Sequence, residues 1–261
     1  MNTEGCLVTY ICDLDTKKLE IAKKIYPLID TTSSIDEIFS NPQIDAVVIA
    51  TPVSTHYDLA LKALESSKHI LVEKPLTDNV EKAKILGAKA KEKDKVLMID
   101  HTYLYTPAIQ KIKELIDSDS IGQIQYIDST RINLGLFQTD VNVMWDLAVH
   151  DIAICCYLLN EKPISVQATG ISHTGSGLEN IAYITLHYKS QKLVHFNCSW
   201  VSPVKIRHML IGGDRKMIVF NDLETTEKVK IYDSSYKNKL DSEHTKKFLT
   251  DYRIGDIYIP K

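Results

Sequence analysis

Glu73, Lys74 and Pro75 interrupt the apolar run of HILVEKPLTD (69–78) where a buried strand would end. Pro75 removes a backbone donor and restricts Lys74 to extended geometry. In an open parallel α/β sheet, ligands lie beyond the carboxyl ends of the strands, so Lys74 is aimed where a pocket would be. A second group lies in MWDLAVHDIAICCYLL, where Asp146 and His150 stand four apart on a predicted helix around 146–159. That spacing puts both side chains on one face. The carboxylate would favour imidazolium and orient the ring. The same spacing also describes an ordinary helix-face contact, and Asp151 beside it could cap or pair elsewhere. Neither H-E-x-x-H nor C-x-x-C occurs, so no metal is expected.

Other chemically able residues fall at strand ends too. CLVTYICD closes on Asp13, and an acid in that position commonly takes the adenosine ribose hydroxyls of a dinucleotide, which favours NAD over NADP. Asp13 and Asp15 also precede the helical run DTKKLEIAKK and could simply cap it. ATPVSTHYD places Thr51 and Pro52 at the end of the next strong strand, with His56 in the following helix's first turn; a cap and a surface histidine are the plainer reading. Thr77 and Asp78 offer caps for the helix after Pro75.

These groups need elements to hold them. From residue 5 to about 117, short β-rich runs alternate with helical patterns, as in a parallel α/β sheet. AVVIA (46–50) and ILV (70–72) are continuously apolar, as expected where helices cover both faces. From residue 123 the rhythm changes to β-rich segments around a single helix, which predicts an open antiparallel sheet. The expected division is therefore 1–120, a dinucleotide-binding domain, and 121–261, a substrate and oligomerisation domain. The charge run KAKEKDK (89–95) reads as a solvated helix end.

Composition agrees with a cytoplasmic globular protein: 261 residues, 44% hydrophobic and 25% charged, with a net charge of −3. That balance gives no reason to expect nucleic acid or an anionic membrane as a partner. The longest apolar runs are too short to span a bilayer. The five cysteines suggest buried, reduced thiols rather than a disulfide framework.

The combination of ATPVSTH, LVEKPL and, after STRINLG, WDLAVHD resembles the glucose–fructose oxidoreductase/inositol dehydrogenase/MocA family (Gfo/Idh/MocA) of NAD(P)-dependent dehydrogenases, over essentially the whole chain. The resemblance implies a Rossmann domain followed by an α+β domain whose large, open, mostly antiparallel sheet mediates homo-oligomer formation. It implies catalytic roles for Lys74, His150 and Asp146, and cofactor contacts from Asp13, Thr51, Pro52, His56, Glu73, Lys74 and His101. Substrate contacts are expected from Tyr103, Arg131 and His150. STRINLGLFQTDVNVMWDLAVHD is similar in flavour to members acting at C3 of UDP-N-acetylglucosamine or its uronic acid. A sugar or nucleotide sugar is thus the expected substrate, with NAD, or NADP, as cofactor.

One departure stands beside the matches. The family begins with a strand and a G-x-G-x-x-G turn, whereas MNTEGCLVTYICD corresponds to the second strand, and Gly5 is the single glycine before Gly87. The expected fold is a Rossmann domain lacking its first βα unit and its pyrophosphate cradle. In the order 3-2-1-4-5-6, that loss leaves the second and fourth strands without partners, and something must fill the gap. GDIYIPK also ends earlier than the family pattern. A misplaced start, a fragment or a truncated gene would each account for the length. Two readings follow: a sugar dehydrogenase, or a non-catalytic remnant that binds a sugar nucleotide or a protein partner.

Overall fold

The computed structural model describes residues 4–135, 137–233 and 256–260. They form two compact units, Met1–Asp100 and His101–Lys261. Helix α5 (Pro107–Asp117), grouped with the first domain in the sequence reading, packs in the second, because its apolar stripe puts Ile109 and Ile112 into that core.

In the first unit, strands β1 (Tyr10–Cys12), β2 (Asp30–Thr32), β3 (Ala46–Ile49), β4 (His69–Val72) and β5 (Leu97–Ile99) alternate with helices α1 (Thr16–Ile25), α2 (Ile35–Ser40), α3 (Val53–Glu65) and α4 (Val80–Glu92). All strand pairings are parallel. The strands form two sheets, β1-β2 and β3-β4-β5. The break between β1 and β3 falls between the strands expected to be second and fourth. CLVTYICD contracts to three strand residues, matching the register available on β2, and Leu7 is exposed.

Alternation decides which sheet face is buried. Ile49, Ile70 and Val72 point into a core with Ala60, Ala63 and Leu64 of α3 and Leu86 of α4. Val48, aligned through Leu71 with Met98, lies on the opposite face and is 68% exposed. The expectation of helices on both faces of AVVIA is thus corrected: α3 and α4 pack together on one side. Asp15 caps α1, accepting from Lys17 N. Asn79, not Thr77 or Asp78, caps α4, accepting from Glu81 N and Lys82 N, because its extended backbone aims the side chain at the first turn. Thr77 instead donates to the Asn79 carbonyl.

The second unit is built on an eight-stranded mixed sheet of order β13-β12-β11-β10-β6-β9-β8-β7. Its strands are β6 (Ile124–Leu134), β7 (Ser165–Ile171), β8 (Ile181–His187), β9 (Leu193–Ser199), β10 (Val201–Gly213), β11 (Lys216–Asn221), β12 (Val229–Asp233) and β13 (Ile257–Tyr258). The β6–β9 pairing is parallel and the others are antiparallel. One face buries Ile127, Ala182, Ile184, Phe196, Met209, Ile211 and Ile218 against α5 and α6 (Val149–Leu159). The other face carries Tyr126, Tyr183 and Leu193, all at least one-third exposed. Gly212 faces that side, where a Cβ would lie 2.2 Å from the Tyr126 ring, so only glycine fits the register.

All five cysteines are free, but only Cys155 and Cys198 are buried; Cys6 and Cys156 are exposed. The all-buried expectation fails for Cys156 because neighbours on a helix point about 100° apart. Burial, reinforced by the Asp151 charge, pushes the Cys198 thiol up to about 12, which makes it an inert core group.

Candidate functional site

The strand-end residues of the first unit are joined through His56. Its ring is 1% exposed, with Nδ1 2.9 Å from the Pro75 carbonyl oxygen and Nε2 2.8 Å from that of Thr51. It therefore links the turn after β3 to the turn after β4, and the expectation of a surface histidine is corrected. Lys74 lies between Glu73 and Pro75 at the end of β4, and the Lys74–Pro75 peptide is cis. Glu73 N continues the parallel ladder to Ile49 O, and the Glu73 carboxylate accepts from Lys74 N at 3.2 Å. Thr51 pairs its hydroxyl with that of Thr55 at 2.7 Å, and Pro52 precedes α3.

Asp13 follows β1. Its Oδ1 accepts from Asp15 N at 2.8 Å and its Oδ2 lies 3.6 Å from Lys18 Nζ. Capping of α1 falls to Asp15, which leaves the Asp13 carboxylate at the strand end and 37% exposed. A dinucleotide needs acceptors for ribose hydroxyls and polar groups for its nicotinamide edge at such strand ends. Asp13, Thr51 and Glu73 fit that requirement. Gly5, the glycine in this stretch, has φ +80° and open space beside it.

In the second unit His101 precedes a 3-10 turn, Thr102–Tyr105, and its carbonyl accepts from Leu104 N. Asp146 sits in a π-helical turn, Met144–Ala148, that runs directly into α6. Asn142 caps this turn, its Oδ1 accepting from Met144 N and Trp145 N. Asp146 Oδ2 accepts from the indole Nε1 of buried Trp200 at 3.0 Å. His150 packs edge-on against Tyr103, with ring centroids 5.0 Å apart. The predicted continuous α-helix therefore begins instead with a wider turn, a feature common at functional sites.

Arg131, expected at the substrate, is 3% exposed and engaged by Asp151. Its Nη2 donates to Asp151 Oδ1 at 2.6 Å and its Nε lies 3.1 Å from Oδ2. Its guanidinium also covers the Tyr103 ring and donates to the Tyr103 hydroxyl at 3.1 Å. Burial opposes the Arg131 charge, but Asp151 and Tyr103 more than offset it and hold the group above its ordinary value. Arg131 is thus a buried support for Tyr103. Asp151 resolves as its partner, one of the options the sequence left open.

Trp200, Asn142, Arg207 and Asp222 were not among the expected residues. The Tyr103 hydroxyl also receives Arg207 Nη1 at 2.8 Å and donates to Asp222 Oδ2 at 3.3 Å. Asp222 Oδ1 accepts from Lys228 at 3.0 Å. Among the described residues no cluster of three or more His, Cys, Asp or Glu could hold a metal, and no helix is long and apolar enough to cross a membrane.

Residues 1–101 match the oxidoreductase family with an NAD-binding Rossmann fold, and residues 109–219 match the GFO/IDH/MocA C-terminal domain. A scyllo-inositol 2-dehydrogenase (NAD(+)) of Bacillus subtilis is 34% identical over 139 residues, covering 51% of this chain and 41% of that protein. A UDP-N-acetylglucosamine 3-dehydrogenase of Acidithiobacillus ferrooxidans is 34% identical over 142 residues, covering 53% and 43%. The aligned part spans less than half of either relative. The solved structure of that second enzyme superposes with a TM-score of 0.77 at 25% identity, covering 87% of this chain and 72% of the other. A levoglucosan dehydrogenase solved with NADH and levoglucosan shares the fold, with a TM-score of 0.83, 22% identity, and coverage of 97% and 71%. Both units of this sequence thus belong to the Gfo/Idh/MocA oxidoreductase family.

Proposed function

We propose that this chain serves an NAD(P)-dependent dehydrogenase that oxidises a secondary hydroxyl of a sugar or nucleotide sugar. The observation that carries this reading is family membership across both units, with Lys74 at the carboxyl end of β4 in the family's Glu-Lys-Pro setting. His150 accepts the hydroxyl proton, and the Lys74 ammonium stabilises the alkoxide that forms. A nicotinamide held at the strand ends of the first unit would supply the acceptor for the hydride leaving the same carbon. Asp146, held by Trp200, keeps the turn before His150 in place, and Tyr103 braces the His150 ring.

Asp13, Thr51, Pro52, Glu73, Lys74 and His101 are proposed to hold the ribose and nicotinamide portions, with His56 acting through the Thr51 and Pro75 carbonyls. The Asp13 carboxylate opposes a ribose 2′-phosphate and so favours NAD over NADP. We place the protein in the reducing cytoplasm on the strength of its free cysteines. A second copy of the chain is the partner proposed for the sheet face bearing Tyr126, Tyr183 and Leu193, and sedimentation as a monomer at micromolar concentration would refute this.

The test of function is spectroscopic. NAD and then NADP are offered with scyllo-inositol, UDP-N-acetylglucosamine and levoglucosan, and reduced nicotinamide is followed. Oxidation of one of these with NAD preferred is the expected result. Sugar binding by calorimetry with neither dinucleotide reduced would refute the dehydrogenase reading and leave a binding protein.

A further inference from the structure

Arg131 and Arg207 occupy directly opposed positions on neighbouring antiparallel strands, β6 and β10, with their side chains on the face that bears α5 and α6. Like charges placed opposite each other in a sheet destabilise it unless counter-charges intervene. Here Asp151 answers Arg131, while Asp222 serves both Arg207 (3.3 Å) and Lys228 (3.0 Å). The linked group therefore holds three cations, Arg131, Arg207 and Lys228, against two carboxylates, Asp151 and Asp222.

The excess positive charge is not at the buried end. Arg131 and Asp151 are 4% and 3% exposed at the side chain, whereas Arg207 and Lys228 are 30% and 36% exposed. Arg207 Nε is also buried without a hydrogen-bond partner among the described residues. That atom has no surface a ligand could reach, so the donors open to an oxyanion are the exposed part of the Arg207 guanidinium and Lys228 Nζ, where it would answer the excess charge. One ring separates this group from His150: Arg207 donates to the Tyr103 hydroxyl, and Tyr103 packs against His150.

We propose that Arg207 and Lys228 form an oxyanion subsite that selects sugars carrying a negative group, the phosphoryl of a nucleotide sugar or the carboxylate of a uronic acid. This rests on the dehydrogenase reading for the identity of the ligand as a sugar, but its test needs no turnover. UDP-N-acetylglucosamine, glucuronate and neutral scyllo-inositol are titrated into the intact chain by calorimetry at low and high salt. A charged probe should bind more tightly than the neutral one, and its advantage should shrink as salt screens the contact.

In Arg207→Gln that advantage should fall about tenfold, the scale of one lost charge-assisted hydrogen bond. If Arg207→Gln fails to fold, Lys228→Gln, with its more exposed side chain, should lower the advantage in the same direction. Preference for UDP-N-acetylglucosamine alone assigns the phosphoryl, and preference for glucuronate alone assigns the carboxylate; either supports the subsite. The proposal is overturned if neither charged probe outbinds scyllo-inositol, or if the advantage survives substitution. Arg207-dependent binding without any dinucleotide reduction would instead refute the dehydrogenase reading and leave the subsite standing.

Discussion

The imidazole of His56 reaches the Pro75 carbonyl oxygen at 2.9 Å, across 19 residues of sequence and inside a core where the ring is 1% exposed. With Nε2 2.8 Å from the Thr51 carbonyl oxygen, one ring bridges the turns after two strands and donates to the carbonyl its N–H faces. His56→Leu would remove the ring's N–H donor from a buried carbonyl and break the bridge between the two turns. It should lower stability by about 1–3 kcal/mol, read by urea denaturation. Asn, whose amide nitrogen matches Nδ1, should recover the Pro75 bond and part of the loss. Equal stability of the Leu and wild-type proteins would show the clamp to be dispensable.

Lys74 follows directly from that clamp. An alkoxide in a partly dry site needs a nearby cation. Lys74→Ala should therefore slow turnover by at least a hundredfold, roughly 3 kcal/mol in the barrier. Near-normal turnover of the variant would remove Lys74 from the chemistry.

His150 carries the proton in the proposed reaction. His150→Gln keeps a polar side chain beside Tyr103 but cannot accept the proton. Turnover should fall by about 10²–10⁴-fold, with substrate affinity far less affected. A change in KM alone would make His150 a binding residue.

Legibility in the sequence followed the range of the interactions. Alternation of apolar residues along β6, β8 and β9 gave the second unit's sheet, because period-two burial is local. Lys74 stood out because Glu-Lys-Pro marks a strand end within three residues. Arg131 and Asp151 are 20 residues apart, Trp200 and Asp146 are 54, and Arg207 and Tyr103 are 104. Those pairs depend on strand register and on how α6 lies on the sheet, which no local spacing encodes. The π-turn at 144–148 was hidden for a related reason: its phase departs from an α-helix by too little to alter the apolar pattern.

Asp151 answers a guanidinium that is almost wholly buried. Removing one member of such a pair leaves the other charge uncompensated in a poorly polarisable interior. Asp151→Ala should cost about 3–5 kcal/mol, measured as a lower denaturation midpoint. The double replacement Arg131→Met with Asp151→Leu should recover much of that loss, since an apolar pair of similar volume removes the unpaired charge. If the single variant matched the wild type, the pair would not be holding the helix to the sheet.

Glu161 sets a pH dependence far from the proposed chemistry. It follows the left-handed Asn160 that ends α6, and its carboxylate accepts from Lys192 Nζ at 2.8 Å and Ser190 Oγ at 2.7 Å in the β8–β9 turn. The Lys192 hydrogen bond, then that of Ser190, hold its carboxyl down at about 2, below the ordinary 4.5. Because the folded value is the lower one, the unfolded chain takes up the proton first as pH falls. The contribution is fully present above about pH 4.5 and is lost progressively toward pH 2. The stability gap between wild type and Glu161→Gln should therefore be widest above pH 5 and close through that window. A gap that stays constant between pH 6 and pH 2 would mean that the carboxylate's charge contributes nothing to holding the turn.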